Sequence, residues 1–520
     1  MNIPLTPIRF LRYAQQQFPK RTAVVCGDQR FTYSQFADRV SRLAGALRQL
    51  GIENGERVAV LSANCHRFLE AYFAVPEADG VLLPLNTRLA PPELSFILND
   101  AKPAILFFEE AFSRAVEAIR DEIPSVRRFI LLDELSSQSK LPWAKNYEGL
   151  LPAAMPFRRD IMDVNENSVA EIFYTSGTTS SPKGVMLSHR NVYLHAINHS
   201  MTFDATRLTT HLHVIPLFHV NGWGAVHYIG AKHVMIRRFS PTEVFQLIER
   251  EAVSSIALVP AMATALLESP ECTKHNLKSL ERIRIGGSAP SPTLVREIQE
   301  KLGGVCFSAY GLTEASPSLT SSMIKPGLGL DPERSLEIQA LSGYAIPGAE
   351  VRVVDTAGND VPCDGNSVGE VIARSDGVMT GYWGQPEATD DALNSGWLCT
   401  GDLATINEDG YLLIVDRKKD IIISGGENIS SLELEKLIVT HPAVSEVAVV
   451  AVPDSKWGEA PKAFVVLKPG ASIDENELVQ FCRSRTAHYK APRVVEFVEN
   501  LPKTGTGKVL KRKLRDNVLM

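Results

Sequence analysis

The chain has no apolar run approaching the ~20 residues that span a bilayer; stretches such as Val447–Val452 are far too short, so no transmembrane segment is expected. Charge of one sign is also missing. Lys+Arg number 54 against 60 Asp+Glu, a net charge of −6 that gives no general pull toward nucleic acid or anionic membrane. Seven scattered cysteines form no C-x-x-C pair, a pattern suited to a reducing, cytoplasmic setting. The N-terminal residues lack the basic, then apolar, then small-residue pattern of a secretion signal. Internal repeats and low-complexity segments are absent as well. What remains is a chain of 520 residues with ordinary globular composition, long enough for two to four domains.

From Thr22 to about Leu132, short β-branched runs (TAVVC, RVAVLS, VLLPL, AILFF, FILL) alternate with helical patterns over Ser34–Leu50, Cys65–Ala78 and Pro92–Ala101. The rhythm returns in HLHVIPL, SSIALVP and RIRIGG, followed by a helix over Pro292–Leu302. Such alternation predicts an α/β fold of helix-covered, mixed or mostly parallel sheets. Around residue 340 the strands shorten, which suggests a barrel-like subdomain over about 340–418 closing a large N-terminal domain, 1–418. After the charged YLLIVDRKKD, residues 419–520 read as a small α+β domain with helices over Leu432–Thr440 and near Glu475–Thr486.

The most informative segment is YTSGTTSSPKG, Tyr174–Gly184, where one glycine sits among six hydroxyls and a lysine closes the run. Backbone N–H groups made accessible by Gly177, the hydroxyls of Thr175, Ser176, Thr178 and Thr179, and the Lys183 charge suit a polyphosphate. It is not a P-loop. Counting from Gly177, Pro182 replaces the second glycine and Gly184 the metal-binding hydroxyl. A surface turn of the same composition is the bland alternative.

Five more segments follow in order: PLFHVNGWG (216–224), GGSAP (286–290), AYGLTEAS (309–316), the run from Gly396 to Glu435, and LPKTGTGKVLKRKLR (501–515). Their order and spacing resemble the superfamily of acyl-adenylate-forming enzymes, in particular the medium- and long-chain acyl-CoA synthetase branch, over nearly the whole chain. A carboxylate is a poor acyl donor and must first become a mixed anhydride. The resemblance implies ATP, Mg²⁺ and coenzyme A as reactants: the acid attacks the α-phosphorus, pyrophosphate leaves, and the thiol then displaces AMP. Cations and oriented donors are needed wherever negative charge gathers.

What the resemblance implies for individual residues is as follows. Thr175, Ser176, Gly177, Thr178, Thr179 and Lys183 would hold the β- and γ-phosphates, with Ser180 standing where the family usually has glycine. Gly287, Ser288, Ala289 and Pro290 would line the adenine site, and Gly287 and Gly311 also the acyl pocket. Tyr310 would stack on adenine, Thr313 touch the α-phosphate, and Glu314 hold the metal. Asp402 and Arg417 would grip the ribose. Lys419 would be the hinge, Ser424, Gly425 and Gly426 would border the pantetheine tunnel, and Lys508, on a glycine-flanked loop, would be the catalytic lysine. A plain solvated basic tail, or one that touches acidic lipid, is the alternative for that last run.

Eight of the twelve histidines lie between His189 and His233. His195 and His199 are spaced i, i+4, and His211 and His213 share a strand face, which is ligand-like, but no H-E-x-x-H or nearby Cys completes a metal set. His219 and Trp223 in FHVNGW resemble the residues that border and gate a fatty-acyl tunnel. No cation sits in the pocket motifs themselves, so an apolar acid is expected. An aryl acid, or delivery to a carrier protein instead of CoA, stays open, as does a non-catalytic nucleotide- or metal-binding protein. Monomer and homodimer are equally compatible with the sequence.

Overall fold

The structure, a computed structural model, describes residues 2–133, 141–175, 182–203, 205–220, 230–424, 427–454, 457–503 and 509–519. The chain forms two compact units, Met1–Val351 with Ala373–Leu398, and Arg352–Ile372 with Cys399–Met520.

The first unit holds two large sheets. In one, the strands Thr22–Cys26, Lys232–Met235, Thr210–His213, Ser255–Leu258, Arg282–Ile285 and Val305–Tyr310 run parallel side by side. Antiparallel strands flank this series at both ends, Gln29–Thr32 on one side and Thr320–Ser321 then Tyr344–Ala345 on the other. The second sheet sets Ala144–Asn146, Arg128–Leu131, Ile105–Phe108, Arg57–Leu61, Val81–Pro84 and Val169–Thr175 in parallel. It finishes with antiparallel Lys183–Ser188 and Gly381–Tyr382.

The helices fall where periodicity places them, because their ends carry local signals. Thr32 caps the helix Tyr33–Gln49 by accepting from Gln35 N, while the Gln35 side chain returns to the Thr32 N–H. Proline opens Pro91–Ala101, Pro241–Glu251 and Pro292–Lys301, where its missing N–H costs nothing. The helix His66–Glu77 is buried along nearly its whole length, and one core joins it and Tyr33–Gln49 to residues of both sheets, among them Val24, Leu82, Phe173 and Met235. Each large side chain sealed there stabilises by roughly 1.5–3 kcal/mol.

The second unit is α+β. Val444–Asp454 and Gly458–Leu467 form a long antiparallel pair, with Val494–Phe497 parallel to the latter. Ser431–Ile438 and Glu475–Arg483 contribute Leu434, Ile438, Leu478 and Cys482 to its core. Among the described residues no helix is long and apolar enough to cross a membrane.

Candidate active site

Parallel strands put all their carboxyl ends at one edge, which is where open α/β sheets bind ligands. Leu258 lies beside Ile285 and Ile285 beside Ser308, so the segments that leave these strands, Val259–Pro260, Gly286–Pro290 and Gly311–Ala315, emerge together. This brings Gly287, Ser288, Ala289, Pro290, Tyr310, Gly311, Thr313 and Glu314 to one edge of the sheet. Gly287 turns the chain at φ +84°, a conformation that favours glycine, and Ser291 then caps the next helix by accepting from Leu294 N at 3.1 Å.

Close approach decides the neighbouring turn. A Cβ on Gly311 would lie 1.7 Å from the Pro317 carbonyl oxygen, so only glycine lets the chain pass from Tyr310 into the short helical turn Thr313–Ala315. Ser316 then donates through Oγ to Gly377 O at 2.6 Å, and Met379 N donates to Glu314 O at 2.8 Å. Glu314 is therefore held by both backbone and side chain. Its Oε1 accepts from Tyr382 Oη at 2.8 Å, while Oε2 takes no hydrogen bond among the described residues.

Thr175 and Lys183 face each other across the neck of a hairpin. Residues Ser176, Gly177, Thr178 and Thr179, between them in sequence, lie outside the described residues. Lys183 Nζ stands 4.7 Å from the centroid of the Tyr382 ring, a cation–π contact. The short strand Gly381–Tyr382 makes this meeting possible by pairing with Val185 and Met186, and Trp383 N adds a bond to Gly184 O at 2.7 Å. Tyr382 thus links the lysine to the carboxylate. Burial and the adjacent Glu314 push its phenol far up, so it stays a donor. Sequence reasoning missed Tyr382. The available signal was G-Y-W-G, two aromatics between glycines that both adopt positive φ.

In the second unit, Asp402 and Arg417 are cross-strand partners, with Arg417 Nε 3.2 Å from Asp402 Oδ1. Asp402 is buried and Arg417 exposed. Neighbouring Asp416 takes another part, accepting from Ser431 N at 2.6 Å and Ser431 Oγ at 2.8 Å to fix the start of the following helix. Lys419 has its pKa lowered, chiefly by burial. Ser424 ends the strand Ile422–Ser424; Gly425, Gly426 and Lys508 lie outside the described residues. Much of the C-terminal basic run is paired: Lys503 with Glu446, Lys511 with Glu435, Arg512 with Asp516 and Arg515 with Asp420.

Residues 11–383 match the family model of the AMP-binding enzymes, and residues 433–508 that of the AMP-binding enzyme C-terminal domain. This chain belongs to the AMP-binding enzymes. It is 38% identical to a peroxisomal butyrate–CoA ligase of Arabidopsis thaliana over 99% of this chain and 93% of that one. It is 40% identical to a long-chain-fatty-acid–CoA ligase of Thermus thermophilus, covering 94% and 90%. The solved anthranilate CoA ligase, in complex with anthranoyl-AMP, superposes with TM-score 0.89 at 26% identity, covering 100% and 98%. The protein is an AMP-forming acyl-CoA synthetase of the adenylate-forming superfamily, an ATP-dependent acyl- or aryl-CoA ligase whose reactants include ATP and CoA.

Mg²⁺ is typical of the family, and the donor set at Glu314 suits it: a carboxylate oxygen without a hydrogen-bond partner among the described residues, beside the lysine at the mouth of the loop. The synthetase also holds His219 in place from a distance. Asn64 donates to His213 O at 3.0 Å and Ile215 O at 3.1 Å and accepts from Leu217 N at 2.7 Å, clamping the chain that leads into PLFH. The His219 ring lies 4.4 Å from that of Phe218. Trp223 lies outside the described residues.

Among the described residues no group of His, Cys, Asp or Glu is arranged to hold an ion. His213 Nε2 meets His233 Nδ1 at 2.8 Å, His211 Nδ1 meets Ser255 Oγ at 3.1 Å, and Arg284 donates to His199 Nε2. Burial lowers His195 and His213 to about 3 and His199 and His211 well below the ordinary range, so these rings are neutral. The sequence placed no cation in the pocket motifs; Arg284 stands two residues before Gly286.

Proposed function

We propose that the acid joined to CoA carries an apolar chain, fatty or similar, and that the residues gathered at the sheet edge activate it. The observation that carries this is the linked set Lys183, Tyr382 and Glu314. A cation and a metal-binding carboxylate are held on one phenol, beside the hairpin loop whose hydroxyls suit polyphosphate. Support for an apolar chain comes from the buried Leu217 and Phe218 ahead of His219 and from likeness to a long-chain-fatty-acid–CoA ligase.

In this reading Thr175, Lys183 and the loop between them bind the β- and γ-phosphates. Glu314 would hold Mg²⁺, which would supply positive charge to the phosphates. Tyr310 and the Gly287–Pro290 turn seat adenine, Thr313 contacts the α-phosphate, and Asp402 with Arg417 holds the ribose. The acid carboxylate attacks the α-phosphorus and pyrophosphate departs. Lys508 neutralises the charge that builds during that step. The thiolate of CoA then attacks the acyl carbon, AMP leaves, and Ser424, Gly425 and Gly426 border the incoming pantetheine. Lys419, at the boundary between residues 1–418 and 419–520, is the hinge, and His219 and Trp223 border the acyl group. A cytoplasmic location belongs to the same proposal.

The test is AMP release from protein, ATP, Mg²⁺ and CoA with a panel of acids that includes octanoate, butyrate and benzoate. Turnover best with octanoate supports an apolar chain, best turnover with benzoate replaces it with an aryl acid, and no AMP with any acid overturns the proposal. The Lys508→Ala variant should lose adenylation severely while retaining far more thioester formation from supplied acyl-AMP. Equal, mild effects on the two steps would remove Lys508 from its role.

A further inference from the structure

Arg284 has an arrangement that its structural role does not account for. Its strand, Arg282–Ile285, buries Ile283 and Ile285 in the apolar core on one face. On the other face Arg284 lies beside Ala257 and Phe307 of the neighbouring strands. The helix His189–Thr202 covers it there with His199, and Phe203 follows that helix with its ring 5.2 Å from the guanidinium carbon. Phe203 itself stacks on Phe307 at 5.3 Å.

Among the described residues the guanidinium has no carboxylate partner. Of its five N–H donors, the hydrogen bond to His199 Nε2 is the one made to a described residue. That bond fixes the His199 proton on Nδ1, and this atom is buried with no partner among the described residues, as is Nε2 of His195. Burial lowers the pKa of Arg284 to about 10, yet it remains a cation at neutral pH, and its side chain keeps partial exposure. A partly desolvated cation among neutral rings, with several donors unused among the described residues, gains stability when an anion joins it. Arginine and a carboxylate make paired, charge-assisted bonds of fixed geometry.

The position sets where that anion belongs. Arg284 precedes Gly286 by two residues, roughly 7 Å along a strand, on the side away from the edge that gathers Gly287 and Tyr310. The residue beside it on the neighbouring strand is the small Ala257.

Resting on the reading of the site given above, we propose that Arg284, with His199 and His195, binds a second carboxylate at the far end of the acid being activated, so that the preferred substrates are α,ω-dicarboxylic acids with an apolar chain between the two carboxylates.

The experiment measures kcat/KM by AMP release for hexanedioate against hexanoate and octanedioate against octanoate, with wild type, Arg284→Met and Arg284→Lys. Wild type should favour the diacid at one or both lengths. Arg284→Met should shift the diacid-to-monoacid ratio at least tenfold toward the monoacid, and Arg284→Lys should shift it less. A wild-type preference for the monoacid at both lengths, or a smaller shift in a folded Arg284→Met variant, overturns the proposal and leaves the apolar-acid reading intact. Absence of AMP with any acid sinks that reading first. Should Arg284→Met fail to fold, the wild-type ratios decide alone.

Discussion

Tyr382 Oη donates to Glu314 Oε1 at 2.8 Å, and the ring of the same tyrosine carries the Lys183 ammonium on its face. One phenol therefore orients the carboxylate proposed to hold Mg²⁺ and the lysine proposed to touch phosphate. Because the hydroxyl donates to Glu314 and the ring faces Lys183, the two effects separate by substitution.

Tyr382→Phe keeps the ring and loses the hydroxyl. A hydrogen bond to a charged group is worth ~1.5–3 kcal/mol, so AMP formation should fall about tenfold or more and need higher Mg²⁺ for half-maximal rate. Steady-state kinetics against Mg²⁺ check this. An unchanged Mg²⁺ dependence would separate Tyr382 from the metal.

Gly311→Ala places a methyl 1.7 Å from the Pro317 carbonyl oxygen, whereas a Cβ on Gly286 meets nothing within 4 Å and that residue needs no positive φ. The first substitution should destabilise by on the order of 1–3 kcal/mol or more and displace Glu314, abolishing AMP formation. The second should leave the unfolding midpoint unchanged. Thermal unfolding of both variants, with AMP release for the first, makes the comparison. Equal midpoints would show that the 311–317 turn yields easily.

Glu171 lies buried in the strand Val169–Thr175, its Oε1 without a hydrogen-bond partner among the described residues, and burial raises its carboxyl from the ordinary 4.5 to about 8. Between these values the folded chain keeps a proton that the unfolded chain releases. Its contribution is thus fully present below pH 4.5 and is lost as pH rises to about 8. The loss runs at up to about 1.4 kcal/mol per pH unit. Glu171→Gln should remove that slope. Denaturant midpoints at pH 5 and pH 8, compared between wild type and variant, give the measurement, and identical pH dependence in both would contradict the burial argument.

Much of the scaffold was legible because its signals are local. The capping pair Thr32 and Gln35 marks the start of Tyr33–Gln49, and the predicted helix over Pro292–Leu302 ends one residue earlier, at Lys301. The strand read over HLHVIPL is Thr210–His213 and that read over RIRIGG is Arg282–Ile285, each ending before its segment does, and AYGLTEAS begins inside Val305–Tyr310. The histidines were less transparent. Spacing of i, i+4 states which rings share a helix face, but not that Arg284, 85 residues from His199, would sit against one of them. Burial then decided their chemistry by keeping the rings neutral. Tyr382 was invisible for the same reason, being 68 residues from Glu314 and joined to Lys183 only through strand pairing.

By itself the sequence determined the α/β alternation and membership among enzymes that activate acids as adenylates, since each is written in residues close together along the chain. Tertiary structure alone decided that Tyr382 ties Lys183 to Glu314 and that Arg284 lies among neutral histidines with no carboxylate partner among the described residues. Those meetings depend on which strands become neighbours in a sheet, and strand order is fixed by burial of apolar faces across the whole unit, which no short stretch of residues encodes.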